Sequence, residues 1–295
     1  MVRKGSDKNS LYPPAMAFAD DLPELTGLRV AQRGPRVDVT IDHGDINLLD
    51  VPLLVSLLRL TEALESADDV TVVVVDSANP DFFIAHFDVA AILELPSDGG
   101  AGERDELGPF HVMAERWRTM PCATIASIAG IVRGGGCEVV SSFDMRFAAL
   151  DRAVFGQPEV ALGILPGGSG TQRLPHLVGR GRALEMVLGS GDVDASTAEA
   201  WGLVNRALEA DVLATFVDDL ADRIAASPPV AVREAKASVL AATPDPTAGL
   251  LEEARRFDRT LADPESRRRM QRFLELGGQT PEGERDLSSI VRRLG

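Results

Sequence analysis

Apolar and polar residues alternate over 28–33 and again over 37–41, and Gly34-Pro35 separates the two runs. Alternation at period two, broken by such a turn, predicts a β-hairpin. The period then changes. Leu53, Leu54, Leu57, Leu58, Leu60 and Leu64 recur at spacings that gather them on one face of a helix. Residues 70–75 (Val-Thr-Val-Val-Val-Val) follow as a strand apolar on both faces. A strand of that kind belongs inside a layered α/β domain, with helices on either side. A Gly- and Asp-rich stretch at 96–108 reads as a mobile loop. Beyond it the pattern predicts a helix over 109–120, a strand over 123–128, a helix over 134–143, a strand over 145–149 and a short helix over 158–162. This alternation defines an α/β core.

After about residue 205 the pattern becomes helical, with segments at 212–226, 229–241, 250–261 and 264–276 and no strand among them. Residues 1–27 show little periodicity and carry Pro13-Pro14. Three parts are therefore expected: a flexible N-terminal extension over 1–27, an α/β core carrying the active site over 28–208, and a helical region over 209–295. No repeat with a period of 20–50 residues stands out.

Composition narrows the partners. A formal charge of −15 and 45% apolar residues describe an ordinary globular chain that repels nucleic acid and anionic membranes. Lysine occurs only at positions 4, 8 and 236, so an anionic ligand must be met by arginine, backbone amides or helix N-termini. Cys122 and Cys137 match no metal spacing and read as buried, reduced thiols. The polar first ten residues lead into no apolar leader segment, and no apolar run is long enough for a membrane span. A cytoplasmic protein without a metal is the expectation.

Three segments carry candidate chemistry: Asp81-Phe82-Phe83-Ile84-Ala85-His86-Phe87-Asp88; Gly134-Gly135-Gly136-Cys137-Glu138; and Phe155-Gly156-Gln157-Pro158-Glu159, running on to Pro166-Gly167-Gly168-Ser169-Gly170-Thr171. Three glycines between a strand and a helix leave amides bare at the helix start, where they suit a partial or full negative charge. Glycines there also serve a tight turn or close packing. No Gly-Lys-Ser/Thr follows, so this is not a phosphate loop, and the spacing is not that of a dinucleotide fingerprint. Glu138 and Glu159 each fall in the first turn of a presumed helix, where an acid complements the helix dipole or does acid–base work.

Together these segments resemble the enoyl-CoA hydratase/isomerase (crotonase) family: Phe-x-Ala-Gly-x-Asp, then Gly-Gly-Gly-x-Glu, then Phe-Gly-x-Pro-Glu. Asp144-Met145-Arg146-Phe147-Ala148 resembles the family's Asp-x-Arg-x-Ala strand. Ala195 to Asn205 is similar to its Ala-x-x-Ala-x-x-x-Gly-Leu-Val-Asn segment, and Lys236 stands where a family helix commonly carries lysine. The resemblance implies a spiral of β-β-α turns forming two near-perpendicular sheets, with C-terminal helices that assemble trimers or hexamers. It implies an acyl-CoA thioester substrate and no separate cofactor, coenzyme A being part of the substrate. By the same resemblance, the amides of Phe87 and Gly135 would hold the thioester oxygen. Glu138 would deprotonate the attacking water, and Glu159 would deliver the proton to C2. Ala85, His86, Asp88 and Gly134 would line the substrate. Both acids are present, which favours hydration. The alternatives in the family are isomerisation, thioester hydrolysis and β-diketone cleavage; a non-catalytic paralogue is the alternative of another class.

The chain departs from the family at several points. His86 replaces a glycine, Asp42-His43-Gly44-Asp45 stands in place of an Asn-Arg-Pro turn, and Cys122-Ala123 in place of Lys-Pro. Ser169 replaces a customary glycine, and the C-terminus from Leu274 lacks the family's closing pattern.

Overall fold

The computed structural model describes residues 18, 22–96 and 105–294. Residues 97–104 of the expected loop at 96–108 and most of the N-terminal extension lie outside the described residues. Phe18, Leu22 and Leu25 pack against the main core.

The hairpin forms as its pattern dictates. β1 (Leu28–Arg33) and β2 (Arg36–Ile41) pair antiparallel from Leu28↔Ile41 to Arg33↔Arg36 around Gly34, whose φ of 58° closes the turn. α1 (Val51–Glu65) begins where the Asp50 carboxylate accepts the Leu53 amide and Pro52 occupies the first turn. It buries Leu53, Leu54, Leu57, Leu60 and Leu64 against α3 (Pro109–Thr119), which contributes Met113 and Trp117.

β3 (Val72–Ser77) is apolar on both faces for a visible reason. Val73 and Val75 enter the core under α1 and α3, while Val72 and Val74 enter a second cluster with Leu213, Val217 and Ala221 of α8 (Ala210–Ala225). The strand runs two residues later than the apolar run itself, because its pairing with β2 extends to Ile41↔Ser77.

Each turn of the chain then places one strand in each of two sheets. The six-stranded sheet has the order β1, β2, β3, β5 (Ala123–Ile128), β7 (Met145–Ala149) and β10 (Arg206–Leu208). The four-stranded sheet has the order β4 (Phe82–Ile84), β6 (Ile131–Arg133), β8 (Val154–Gly156) and β9 (Asp192–Asp194). The first sheet is parallel apart from β1, and in the second only β8 and β9 run antiparallel. This is the crotonase spiral that the resemblance implied.

α2 (Val89–Leu93) follows β4, and α4 (Gly134–Val140) follows β6. α4 packs on β4 so closely that a Cβ on Gly136 would lie 2.6 Å from the Ile84 carbonyl oxygen. α5 (Gly170–Val178), α6 (Arg180–Gly189) and α7 (Ala195–Trp201) occupy a stretch for which the apolar pattern predicted no element. Lys236 on α9 (Pro229–Leu240) donates to the Cys122 carbonyl (2.9 Å) and pairs with Asp144 (2.7 Å), tying that helix to the ends of β5 and β7. α10 (Thr247–Leu261), α11 (Pro264–Glu275), α12 (Pro281–Arg285) and α13 (Leu287–Val291) complete the described chain. α11 and α13 close an apolar cluster with Val89, Ile92, Leu162 and Ile164, so this C-terminal part lies against the first and third candidate segments.

Candidate active site

The three segments converge at the ends of β4, β6 and β8. The loop after β4 carries Ala85, His86, Phe87 and Asp88. Ala85 is fully buried, and its carbonyl accepts the Arg133 amide (3.2 Å). A bridge to Leu49 clamps the next residues: the Leu49 amide donates to the His86 carbonyl (2.9 Å), and the Asp88 amide donates to the Leu49 carbonyl (3.0 Å). The Phe87 amide, between them, donates to no acceptor among the described residues. Opposite lies the start of α4. Gly134 turns the chain with a φ of 48°, a conformation glycine adopts without strain. The Gly135 amide likewise has no acceptor among the described residues, as expected in the first turn of a helix. A Cβ on Gly135 would stand 3.0 Å from Phe87 Cβ and 3.3 Å from Phe87 N. Two free donors therefore border one small space.

Glu138 and Glu159 flank that space, both buried. A Cβ on Gly134 would come within 2.7 Å of Glu159 Oε1, which places that carboxyl beside the glycine turn. Gln157, with its amide nitrogen turned inward, donates to Glu159 Oε2 (2.9 Å) and Oε1 (3.2 Å). Glu138 Oε1 accepts the Gly168 amide (2.8 Å) and the Gly170 amide (2.7 Å) at the start of α5. The amide between them and the one that follows serve a different acid. Ser169 N donates to Glu253 Oε1 (2.7 Å) and Thr171 N to Glu253 Oε2 (3.0 Å), while His111 Nε2 also contacts Glu253 Oε1 (3.0 Å). Four successive amides thus alternate between two buried carboxylates. Ser169 takes the position at a φ of 107°, where the family's glycine would carry no strain, and its Oγ accepts Arg173 Nε (2.8 Å).

Burial sets the electrostatics. It raises Glu138 well above the ordinary carboxylate range, the charges of Glu159 and Glu253 add to the rise, and the Gly170 and Gly168 amides oppose it. Burial also raises Glu159, to about 7, against its own backbone amide and the charge of His86. The two cysteine thiols are free, buried and pushed up to about 12 by burial, so they have no thiolate character at neutral pH.

His86 is buried beside Glu159. A narrow apolar cleft there is lined by His86, Phe87, Val89, Ile92, Leu162 and Phe273. Asp88 caps α2 through the Ala90 amide (2.9 Å) and also accepts Gln279 Nε2 (2.9 Å). Phe110 packs over the glycines, 3.4 Å from a Cβ on Gly135. In the place of the Asn-Arg-Pro turn, His43 Nε2 meets Asp50 Oδ2 (2.8 Å), and Asn47 accepts the His43 amide (2.8 Å).

Sequence reasoning passed over Glu253, Glu284, His111 and Gln157. A signal existed for Glu253. It sits with Leu250, Ala254 and Leu261 on the buried stripe of α10, where a charge needs a partner.

No helix among the described residues is long and apolar enough to cross a membrane, and no cluster of His, Cys, Asp and Glu there could hold a metal.

Comparison with known proteins agrees with this architecture. The sequence model of the enoyl-CoA hydratase/isomerase family matches residues 37–281. A short-chain-enoyl-CoA hydratase of Clostridium acetobutylicum is 32% identical over 217 residues, 73% of this chain and 82% of that protein. A Syntrophomonas wolfei crotonyl-CoA hydratase is 36% identical over 62% of this chain and 70% of its own length. The crystal structure of a Streptomyces avermitilis protein, provisionally named an enoyl-CoA hydratase, superposes with a TM-score of 0.84 at 37% identity. That match covers 92% of this chain and 99% of the other. With the motifs on the loops where the spiral needs them, and the match running through both sheets, the chain belongs to the enoyl-CoA hydratase/isomerase (crotonase) family.

Proposed function

We propose that this protein is an enoyl-CoA hydratase, adding water across the 2,3-double bond of an enoyl-CoA thioester. The observation that carries the reading is the pair of free amides, Phe87 and Gly135, facing one space between two buried glutamates. The thioester oxygen sits between these donors. With the pair's proton on Glu159, its charge no longer raises Glu138, and the Gly168 and Gly170 amides hold Glu138 as the carboxylate. Glu138 takes a proton from water as the water oxygen bonds to C3, and the electron pair of the double bond moves toward the carbonyl, leaving an enolate. The fixed amides stabilise that charge by roughly 3–4 kcal/mol per donor. Glu159, raised to about 7, holds a proton near neutrality and delivers it to C2. Acid–base work of this kind contributes roughly 10²–10⁴-fold. The apolar cleft beside His86 suits an acyl chain, with coenzyme A entering only as part of the substrate.

In this reading the protein works in the cytoplasm as a homotrimer or hexamer. No residue of α9 is fully buried, and Val230 and Val239 are 68% and 70% exposed, as suits a helix covered by a second copy. Light scattering on the purified protein reads the assembly directly. The test of the chemistry is the loss of conjugated absorbance when crotonyl-CoA and longer enoyl-CoAs are mixed with the protein. Hydration that vanishes in Glu138→Gln and in Glu159→Gln is expected. No absorbance change at any chain length would end the reading.

A further inference from the structure

His86 is the departure from the family that touches the site most directly, and its partner comes from α12 near the end of the chain. Nδ1 lies 2.7 Å from the Phe87 carbonyl oxygen, which only accepts, so Nδ1 carries a proton. Nε2 lies 2.9 Å from Glu284 Oε1. That oxygen already accepts the Gln279 amide (2.9 Å), and the carboxyl stands 3.8 Å from Arg133, whose Nη1 also donates to the Glu284 carbonyl (2.8 Å). A carboxyl beside a guanidinium stays ionised, which makes Nε2 a donor as well. Arg133 is in turn held by both oxygens of Asp192 (2.7 and 2.8 Å).

We propose that His86 is carried as an imidazolium by Glu284, and that this buried pair positions the Phe87 amide for a developing negative charge. The proposal rests on the reading of Phe87 as an oxyanion donor. The geometry explains how the positioning works. The carbonyl before the Phe87 amide is taken by Leu49, and the carbonyl after it is taken by His86 Nδ1. The peptide is therefore fixed on both sides, with only its N–H left open. Gln279 adds a third tie, accepting the Val89 amide (3.0 Å) while donating to Asp88.

The groups facing the imidazole are Glu284 from α12, Arg133 from β6, Glu159 from the turn after β8 and the Phe273 ring, edge-on at 5.7 Å, from α11. Their electrostatics agree with the hydrogen bonds. Burial alone would lower His86, but the charge and hydrogen bond of Glu284 and the Phe87 carbonyl raise it. Burial alone would raise Glu284, but His86, the Gln279 amide and Arg133 bring it below its ordinary value. The imidazolium also restrains the rise of Glu159. His86 and Glu284 are thus positioning residues that act through Phe87 and Glu159.

Two measurements decide the matter. In ¹⁵N spectra at pH 7.5, with His86 assigned by its loss in His86→Gln, both ring nitrogens should be protonated; a bare ring nitrogen overturns the charge assignment. The second probe is acetoacetyl-CoA, a β-keto thioester whose enolate absorbs in the near ultraviolet and forms more readily when an oxyanion site binds it. Wild type should promote the enolate. Glu284→Gln and His86→Gln should bind the thioester but promote its enolate roughly 10- to 100-fold less, a smaller loss than deleting a donor outright. In hydration assays kcat should fall with KM nearly unchanged, and in Glu284→Gln the alkaline limb should move to higher pH as the restraint on Glu159 is lost. The double variant His86→Gln/Glu284→Gln keeps a neutral hydrogen-bonded pair, so it separates folding from positioning: a folded protein with the same loss supports the proposal. Wild-type enolate promotion in either single variant, or none in wild type, overturns it. Enolate promotion without hydration would end the hydratase reading and leave the positioning pair standing.

Discussion

Replacing Glu159 with glutamine should stabilise the protein, and should do so only above mildly acidic pH. Burial moves this carboxyl from 4.5 to about 7. Between those values the unfolded chain has released the proton while the folded chain still holds it. Stability therefore falls as pH rises through that window and levels off above it. At about 1.36 kcal/mol for each tenfold change in proton affinity, the penalty at pH 8 reaches roughly 3 kcal/mol. Glutamine has the same shape, keeps an oxygen to accept from Gln157 and never ionises. Removing the charge also eases Glu138, which Glu159 helps to raise. Over 295 residues, at about 2.1 cal/mol/K each, 3 kcal/mol corresponds to a rise of roughly 5 °C in Tm. Thermal unfolding of wild type and Glu159→Gln at pH 5 and pH 8 provides the assay. Most of the gain should be present at pH 8 and most of it gone at pH 5. An equal gain at both values, or a less stable variant at pH 8, would refute the argument that burial of this acid sets its proton affinity.

Gly135→Ala puts a methyl group 3.0 Å from Phe87 Cβ, into the space between the two free amides; kcat for crotonyl-CoA hydration should fall about 10²–10³-fold, with the melting temperature changed little. Glu253→Gln replaces one acceptor oxygen with an amide that faces donors at Ser169 N or Thr171 N, so denaturant unfolding should show a loss of about 1–3 kcal/mol, and kcat should fall as the loop holding Glu138 loosens. Leu57→Ala empties a site 1% exposed between α1 and the sheet and should cost about 2–5 kcal/mol in the same experiment, with kcat of the folded protein retained.

Much of this was legible along the chain, and what was not has identifiable causes. β5, β7 and α1 stand where their patterns put them, because each is long enough to show a period and is bounded by Gly, Pro or Asp. The five three-residue strands β4, β6, β8, β9 and β10 are too short to show one; pairing across the spiral defines them. α5 and α6 were hidden by Pro175, Gly179 and Gly181 and by the weight of the motif before them. β3 starts later than its apolar run because register with β2, and not hydrophobicity, sets its ends. The glutamates and glycines of the motifs were readable because they are neighbours in sequence. Glu253 and Glu284 were not, since a lone acid on a helix carries no local mark of the partner it meets across the fold. The role of Asp88 as a helix cap was likewise invisible until α2 was in place.

The contacts that tie these late acids to the early loops span long stretches of chain: 198 residues between His86 and Glu284, and 142 between His111 and Glu253. Closing such loops costs more entropy than forming neighbouring contacts, and topologies rich in them fold slowly. Sheets and helices built from nearer partners can therefore come together before the pocket is finished. A refolding chain should pass through a compact, catalytically silent species, regaining its circular dichroism ahead of its turnover, with the interval set by docking of the final helices.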